Sequence, residues 1–215
     1  EAVFDGTWEW DGATWTPHAL YEGPDDRWQH TMAHDANRGV TVLFGGYTGE
    51  SSGDTWEWDG ESWVEVEPDN PLPVPRYGHS MFYDPQRKLS VLFGGEGEIV
   101  EECFEDEVEF WCSVESEYYS DTWLWDGQTW TEAVPLGPHK PGPRMQHAMT
   151  HDAARGVGTL FGGNAVIENT WATYSDTWEW DSGFATNAGH RLVIAWPSSA
   201  AQAGSEGLNV SARWH

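Results

Sequence analysis

The sequence predicts an all-β protein built from repeated units of four short strands. Three times, an Arg-x-x-His motif is followed by Phe-Gly-Gly, which begins 17 positions after the arginine, and then by an Asp-Thr-Trp-x-Trp-Asp block. The three arginines are Arg27, Arg76 and Arg144. Only the distance from the glycines to the aspartate varies. Fixed units that alternate with variable connections are typical of arrays of small sheets.

The first half of each unit predicts a hairpin of two inner strands. In the middle unit, two apolar runs at 79–83 and 89–93 are joined by a turn that begins with Asp84 and Pro85. The di-glycine that follows ends the second run. Because these runs are apolar on both faces, we expect the inner strands to be enclosed on both sides.

The second half of each unit predicts an outer hairpin. In the first unit, residues 55–58 alternate in polarity, Asp59-Gly60 is a strong hairpin signal, and residues 62–66 alternate again. Glu and Thr on one face indicate contact with water. The N-terminal segment repeats this outer half without an inner half, and no segment shows a sustained helical period.

The repeated units resemble the kelch repeat, the blade unit of one large class of β-propellers. The resemblance rests on the Arg-x-x-His opening, the di-glycine and an aromatic residue followed five positions later by Trp. It covers residues 1 to about 183. It implies full four-stranded blades at about 27–66, 76–134 and 144–181 and a partial blade at 1–16. The Asp-Thr-Trp-x-Trp-Asp-Gly variant is similar to kelch arrays of large secreted bacterial proteins.

Three full blades are too few for a closed ring, since kelch propellers typically close with six or seven. An open ring leaves sheet edges without a partner. The chain also begins at Glu1, without a methionine or a signal peptide. We therefore interpret it as an incomplete ring, which is either a segment of a longer polypeptide or a chain that completes its propeller with another copy.

The C-terminal residues 184–215 depart from the repeat. Residues 190–196 and 207–214 predict two strands, but neither the Arg-x-x-His motif nor the di-glycine recurs there. Two interpretations stay open for this divergent β tail. It begins a second β domain, or it forms an edge pair that caps the last blade.

The composition restricts the possible partners. The net charge is −26, with 36 acidic and 10 basic residues, and a polyanion repels nucleic acid and anionic membranes. Six of the eight arginines occupy repeat positions, so few cations remain to bind an anionic ligand. No apolar run is long enough to predict a membrane span. We expect neither nucleic acid binding nor membrane insertion.

The two cysteines indicate an oxidising compartment. Cys103 and Cys112 lie 9 positions apart in the longest insertion, and such a pair in an otherwise structureless loop predicts a disulfide more than a metal site. We therefore expect a secreted protein that is extracellular or attached to the cell surface.

The residues that recur once per blade are predicted to be structural. A histidine in every unit is best explained as a structural hydrogen-bonding group. Large aromatic residues in register bury the interfaces between blades. The residues assigned this role are Arg27, His30, Arg76, His79, Arg144, His147, Trp58, Trp63, Trp125 and Trp130. We also expect all eleven repeat tryptophans to be largely buried, namely Trp8, Trp10, Trp15, Trp56, Trp58, Trp63, Trp123, Trp125, Trp130, Trp178 and Trp180.

The insertions at 96–120 and 164–175 carry the candidate contact residues. Both join the second and third strands of a blade, so they emerge on the same face as the Pro-rich connectors between blades. We call this the long-loop face. Trp111 and Trp171 lie in these insertions, outside the repeat pattern, and are the predicted contacts.

Acidic residues crowd the first insertion, where residues 96–117 hold ten carboxylates. A Ca²⁺ site is conceivable there, although no Asp-x-Asp-x-Asp-Gly spacing occurs and an acidic run is more typical of a solvated face. No other cofactor or metal is predicted. The acidic candidates for contact are Glu101, Glu102, Glu105 and Asp106.

These observations favour a non-catalytic extracellular binding or adhesion module that presents its loops to a protein or a glycan. The alternative is a structural subunit whose open edges assemble into a cell-surface or fibrous array. An enzyme is least favoured. Kelch propellers include copper oxidases and sugar-processing enzymes, but the oxidases need clustered Tyr and His ligands with a cross-linking Cys, and no common catalytic motif occurs.

Overall fold

The structure is a computed structural model that describes residues 6–18, 22–69, 71–105, 110–134, 140–181 and 193–195. The regular secondary structure of these residues is all β. None of the described segments is a helix long and apolar enough to cross a membrane. The predicted all-β fold is confirmed.

A small hairpin and a four-stranded antiparallel sheet form the N-terminal part. Strands β1 (Thr7–Trp10) and β2 (Trp15–His18) make the hairpin. The first sheet has the order β3-β4-β5-β6, with β3 (Thr31–Asp35), β4 (Val40–Tyr47), β5 (Ser51–Trp58) and β6 (Trp63–Val66).

Two further sheets repeat this meander, and each carries an additional two-stranded ribbon. The second sheet contains β7 (Ser80–Asp84), β8 (Leu89–Phe93), β11 (Thr122–Trp125) and β12 (Trp130–Glu132), and its ribbon is β9 (Glu96–Glu105) with β10 (Phe110–Tyr118). The third sheet contains β13 (Ala148–Asp152), β14 (Val157–Phe161), β17 (Thr177–Asp181) and β18 (Val193–Ala195), and its ribbon is β15 (Asn164–Ile167) with β16 (Thr170–Thr173).

The three sheets stand side by side as blades. The innermost strand β7 of the second blade contacts β3 of the first and β13 of the third. The main core fills the space between the first two blades, where Phe44 and Trp130 meet edge to face with ring centroids 5.1 Å apart. The four-stranded blades inferred from the repeat are therefore present, and they stand in the predicted order.

Each blade is fastened by an ion pair between its motif arginine, whose side chain is buried, and a partly buried aspartate at or just before its third strand. Arg76 is fully buried, and its two terminal nitrogens donate to the two carboxylate oxygens of Asp121 at 2.6 and 2.8 Å. Arg76 Nη1 also donates to the Gly94 carbonyl at 3.0 Å, and Nε donates to the Val74 carbonyl at 2.9 Å. Trp123 Nε1 completes the set by donating to Asp121 at 2.7 Å. The equivalent ion pairs are Arg27–Asp54 and Arg144–Asp176.

Tryptophans connect successive units through hydrogen bonds. Trp125 Nε1 donates to Glu57 at 3.1 Å, and Trp130 Nε1 donates to Thr55 at 3.0 Å, both on β5 of the preceding blade. Both side chains are 1% exposed. The two indole N–H groups that enter the interface between the first two blades are thus both satisfied.

The prediction that all repeat tryptophans are buried is wrong for three of them. Trp8, Trp10 and Trp15 are each more than half exposed, whereas Trp58, Trp125 and the other tryptophans of the full blades are buried or partly buried. The reason is their position on the partial blade. The face that a full blade buries against its predecessor has no predecessor among the described residues.

The insertions that were expected to be structureless loops are antiparallel ribbons. Residues 96–105 pair with 110–118, and residues 164–167 pair with 170–173. Cross-strand pairing satisfies the backbone N–H and C=O groups that face the partner strand in each ribbon. This explains how these segments are ordered although they belong to no blade.

The first strand of the C-terminal tail belongs to the third blade. Strand β18 pairs with β17, with Val193 opposite Asp181 and Ala195 opposite Glu179. The predicted domain boundary at residue 183 therefore does not separate this strand from the propeller segment. Residues 196–215, with the second predicted strand at 207–214, lie outside the described residues.

The interface tryptophans should dominate the stability of the blades. We expect Trp58→Ala to lower the free energy of unfolding by about 3–5 kcal/mol, because it removes a buried ring and opens a cavity. Trp8→Ala is the matched control, since Trp8 is exposed. Urea unfolding followed by circular dichroism measures both changes. A loss below about 1 kcal/mol for Trp58→Ala would contradict the account.

Candidate functional site on the long-loop face

A repeated backbone frame forms the base of the long-loop face. The residue after each motif arginine forms a β-bridge with the residue after each di-glycine. In the first blade, Trp28 and Tyr47 exchange two backbone hydrogen bonds of 3.2 and 2.9 Å. The other two bridges are Tyr77 with Glu96 and Met145 with Asn164. The frame is constant, whereas the side chains that it presents differ from blade to blade.

Three of these side chains form an aromatic row. The rings of Trp28 and Tyr47 lie 4.9 Å apart with an interplanar angle of 36°, and the rings of Tyr47 and Tyr77 lie 5.3 Å apart, nearly perpendicular. Trp28 is 49% exposed, while Tyr47 and Tyr77 are partly buried. The aromatic row therefore offers an open indole face on a supported base.

Polar groups border the aromatic row toward the inner strands. Gly78 N donates to the Gln29 carbonyl at 2.9 Å, and Gln146 N donates to the Gly78 carbonyl at 2.7 Å, so these residues link the three blades. All three have a positive φ, near 55 to 65°. Both glutamine side chains are exposed. Gln29 directly follows Trp28 of the aromatic row, and the Gln146 side chain accepts a hydrogen bond from Asn164 at 3.1 Å.

A buried carboxylate supports the row from below. Glu96 is 7% exposed, at the start of ribbon strand β9. Burial, and then the charge and hydrogen bonding of Glu96, raise the pKa values of Tyr77 and Tyr118. The two phenols are therefore neutral donors at physiological pH. Glu98, two residues further, accepts a hydrogen bond from the Ser51 backbone at 3.4 Å and ties the ribbon to the first blade.

The motif histidines immediately precede the innermost strands of their blades, and burial keeps them uncharged by lowering their pKa values. Burial lowers the pKa of His79 well below its usual value, and the charge of Arg76 acts in the same direction. Burial and Arg144 lower the pKa of His147 to about 4. The rings meet Phe44 and Phe93 edge to face at 5.6 and 5.5 Å.

The predicted roles of the motif residues are met in part. The motif arginines make polar contacts inside the blades, as predicted. The rings of His79 and His147 lie against the backbones of Phe44 and Phe93, whose hydrogen bonding raises their pKa values against the larger effect of burial. The hydrogen-bonding role of the histidines stays a prediction.

The predicted contact residues lie on the two ribbons. Trp171 on β16 is opposite Val166 and is 59% exposed. Trp111 on β10 is opposite Phe104, and Glu102 and Glu105 are opposite Ser113 and Phe110. Glu101 lies where the ribbon register shifts, and Asp106 lies outside the described residues.

The calcium expectation stays a prediction. Among the side chains that the structure describes, no three His, Cys, Asp or Glu residues are grouped so that they could hold a metal ion. Most side chains of the acidic segment 96–117 lie outside that description.

Sequence reasoning missed the aromatic row. Its signal was present, because the position after the motif arginine holds Trp28 and Tyr77, and Tyr47 follows the di-glycine. These positions are next to the most regular motif of the repeat, where recurrence indicates a structural role, whereas the variable insertions indicate contact residues. Only the bridge between the two motifs shows that they share one surface.

Comparison with known proteins supports the fold and goes no further. No protein-family model matches the chain, and no curated protein matches it. Among solved structures, the chain is similar to one titled "Structure of YjhT", with a TM-score of 0.56 and 13% sequence identity over 84% of this chain. That protein has a β-propeller-like fold. The match covers 47% of the YjhT chain, so this chain spans about half of its length.

The first ribbon should contain a disulfide. Cys103 and Cys112 are direct cross-strand partners, and the β-carbons of such partners lie about 4.5–5.5 Å apart, close to the distance that a disulfide spans. We expect alkylation of the native protein to leave its intact mass unchanged, and alkylation after reduction to add two groups. Two reactive thiols in the unreduced protein would contradict this prediction.

Proposed function

We propose that this chain is a kelch-type, non-catalytic extracellular binding module, and that the aromatic row binds a neutral glycan. The observation that most directly supports this proposal is the exposed ring of Trp28. This ring also contacts Tyr47, and both residues lie on a backbone frame that three blades repeat. A flat apolar ring stacks on the C–H face of a sugar. The carboxamides of Gln29 and Gln146 suit sugar hydroxyls, as convergent polar groups do in ligand sites.

Charge favours a neutral ligand over an anionic one. The net charge of −26 and the carboxylates of Glu96 and Glu98 next to the aromatic row repel phosphates, sulfates and acidic sugars. Carboxylates also accept hydrogen bonds from sugar hydroxyls. A neutral oligosaccharide therefore fits this surface better than an acidic one.

A protein partner is the second candidate, and the third-blade ribbon favours it. Val166, Ile167 and Trp171 are all exposed on a ribbon of only four residues per strand. Aromatic side chains surrounded by apolar neighbours are common anchors in protein interfaces. In this case the ribbon, rather than the aromatic row, makes the main contact.

The kelch assignment and the extracellular location rest on the repeats and the cysteines. The Arg-x-x-His and di-glycine motifs supply the buried ion pair and the turn of every blade. The direct pairing of Cys103 with Cys112 supports a disulfide and hence an oxidising compartment.

An array of neutral and acidic oligosaccharides tests the proposal. We expect binding to neutral members only, and a loss of at least tenfold in affinity for Trp28→Ala in calorimetric titrations, because an aromatic anchor contributes about 2 kcal/mol or more. Trp171→Ala is the control that separates the two candidates, since it should not change glycan affinity. Absence of glycan binding, or equal affinity for Trp28→Ala and the unchanged chain, would refute a glycan site on the aromatic row.

A further inference from the structure

The face of the N-terminal hairpin that carries Trp10 and Trp15, which we call the first face, has no partner among the described residues. Trp10 and Trp15 form a tilted pair with ring centroids 5.4 Å apart and an interplanar angle of 41°. Trp125 and Trp130 have nearly the same geometry, 5.3 Å and 36°. The difference is burial. The pair in the second blade is 1% exposed at each ring, whereas Trp10 and Trp15 are 51% and 62% exposed.

The structure shows what covers such a pair. A Thr-x-Glu sequence on the third strand of the preceding unit accepts both indole N–H groups, from Trp125 to Glu57 and from Trp130 to Thr55. Phe44 of that unit adds an edge-to-face contact with Trp130. The N-terminal hairpin holds the next pair through the same residue types, with Glu9 accepting from Trp58 and Thr7 from Trp63. The N–H groups of Trp10 and Trp15 have no acceptor among the described residues.

The third blade presents the complementary residues on the face that points away from the second blade, which we call the last face. Thr177 and Glu179 lie at the positions of Thr55 and Glu57, and Arg155 pairs with Glu179 as Arg38 does with Glu57. Phe161 lies at the position of Phe44. Phe44 is fully buried, whereas Phe161 is 56% exposed.

The Thr-x-Glu arrangement is not automatic in this repeat. The second blade has Leu124 at the position of the glutamate. As a result, the indole nitrogen of Trp180 is buried without a hydrogen-bond partner. The third blade therefore has both the threonine and the glutamate that accept the indole N–H groups, whereas the second blade has only the threonine.

We propose that two copies of this chain associate head to tail, with the Trp10–Trp15 pair of one copy on the face formed by Phe161, Thr177 and Glu179 of the other. Two such contacts close one ring. The chain matches about half of a propeller chain, so two copies supply nearly the length of that propeller. This inference does not depend on glycan binding by the aromatic row.

Sedimentation equilibrium of the 215-residue chain at 0.15 M salt and above tests the proposal. We expect a mass of twice 24.2 kDa, and stronger association at higher salt because salt screens the repulsion between two polyanions. The double variant Trp10→Ala/Trp15→Ala and the single variant Phe161→Asp should each lose the dimer and sediment at 24.2 kDa. Trp171 is exposed but lies on a ribbon, so the Trp171→Ala variant should keep the dimer.

A mixing experiment determines the orientation of the contact. The tryptophan variant keeps an intact last face and the Phe161→Asp variant keeps an intact first face, so an equimolar mixture should regain the doubled mass through one contact. A dimer formed by Trp10–Trp15 pairs facing each other would instead survive Phe161→Asp and refute the head-to-tail contact.

Three further outcomes would also overturn the proposal. These are a monomer at every concentration, a dimer that survives both variants, and a mass that grows beyond two copies. Near-ultraviolet circular dichroism verifies that each variant is folded. Trp15→Ser alone replaces the double variant if the latter is not folded.

Discussion

The ion pair between the motif arginine and the aspartate of the third strand is the interaction on which each blade depends. Burial on its own would raise the pKa of Asp121, but the hydrogen bonds and charge of Arg76 lower it overall. A carboxyl group with a lowered pKa stabilises the fold at neutral pH. That contribution is lost as the pH falls from about 4, the usual value in unfolded chains, through the lower folded value. A buried guanidinium without its carboxylate would be costly.

The same ion pair explains why the long-loop face can vary. Arg76 holds its own connector through the Val74 carbonyl and the di-glycine turn through the Gly94 carbonyl. The residue after the arginine and the residue after the glycines are thereby fixed opposite each other. Their side chains are free to differ, because the backbone is held from below. A surface with a rigid frame and variable side chains is well suited to binding.

The blades could be predicted from the sequence because their signals are local and repeated. The exposure of individual side chains could not be predicted, since it depends on which residues pack against them. Trp10 and Trp125 share the Thr-Trp-x-Trp-Asp-Gly-x-Thr-Trp pattern, but among the described residues only Trp125 has a blade in front of it. Likewise, the aromatic row arises from a bridge between two motifs, with Trp28 and Tyr47 19 positions apart. The ribbons were missed because the variable length of these segments indicated loops, whereas backbone pairing determines their structure.

A double-mutant cycle on Arg76 and Asp121 tests the central role of the ion pair most directly. We expect Arg76→Ala to lower the free energy of unfolding by about 3–5 kcal/mol, because the partly buried Asp121 loses its partner. Asp121→Ala in the same background should then cost less than it does alone, with a coupling of about 1–3 kcal/mol. A cost below about 1 kcal/mol for Arg76→Ala, or strictly additive effects, would contradict the account.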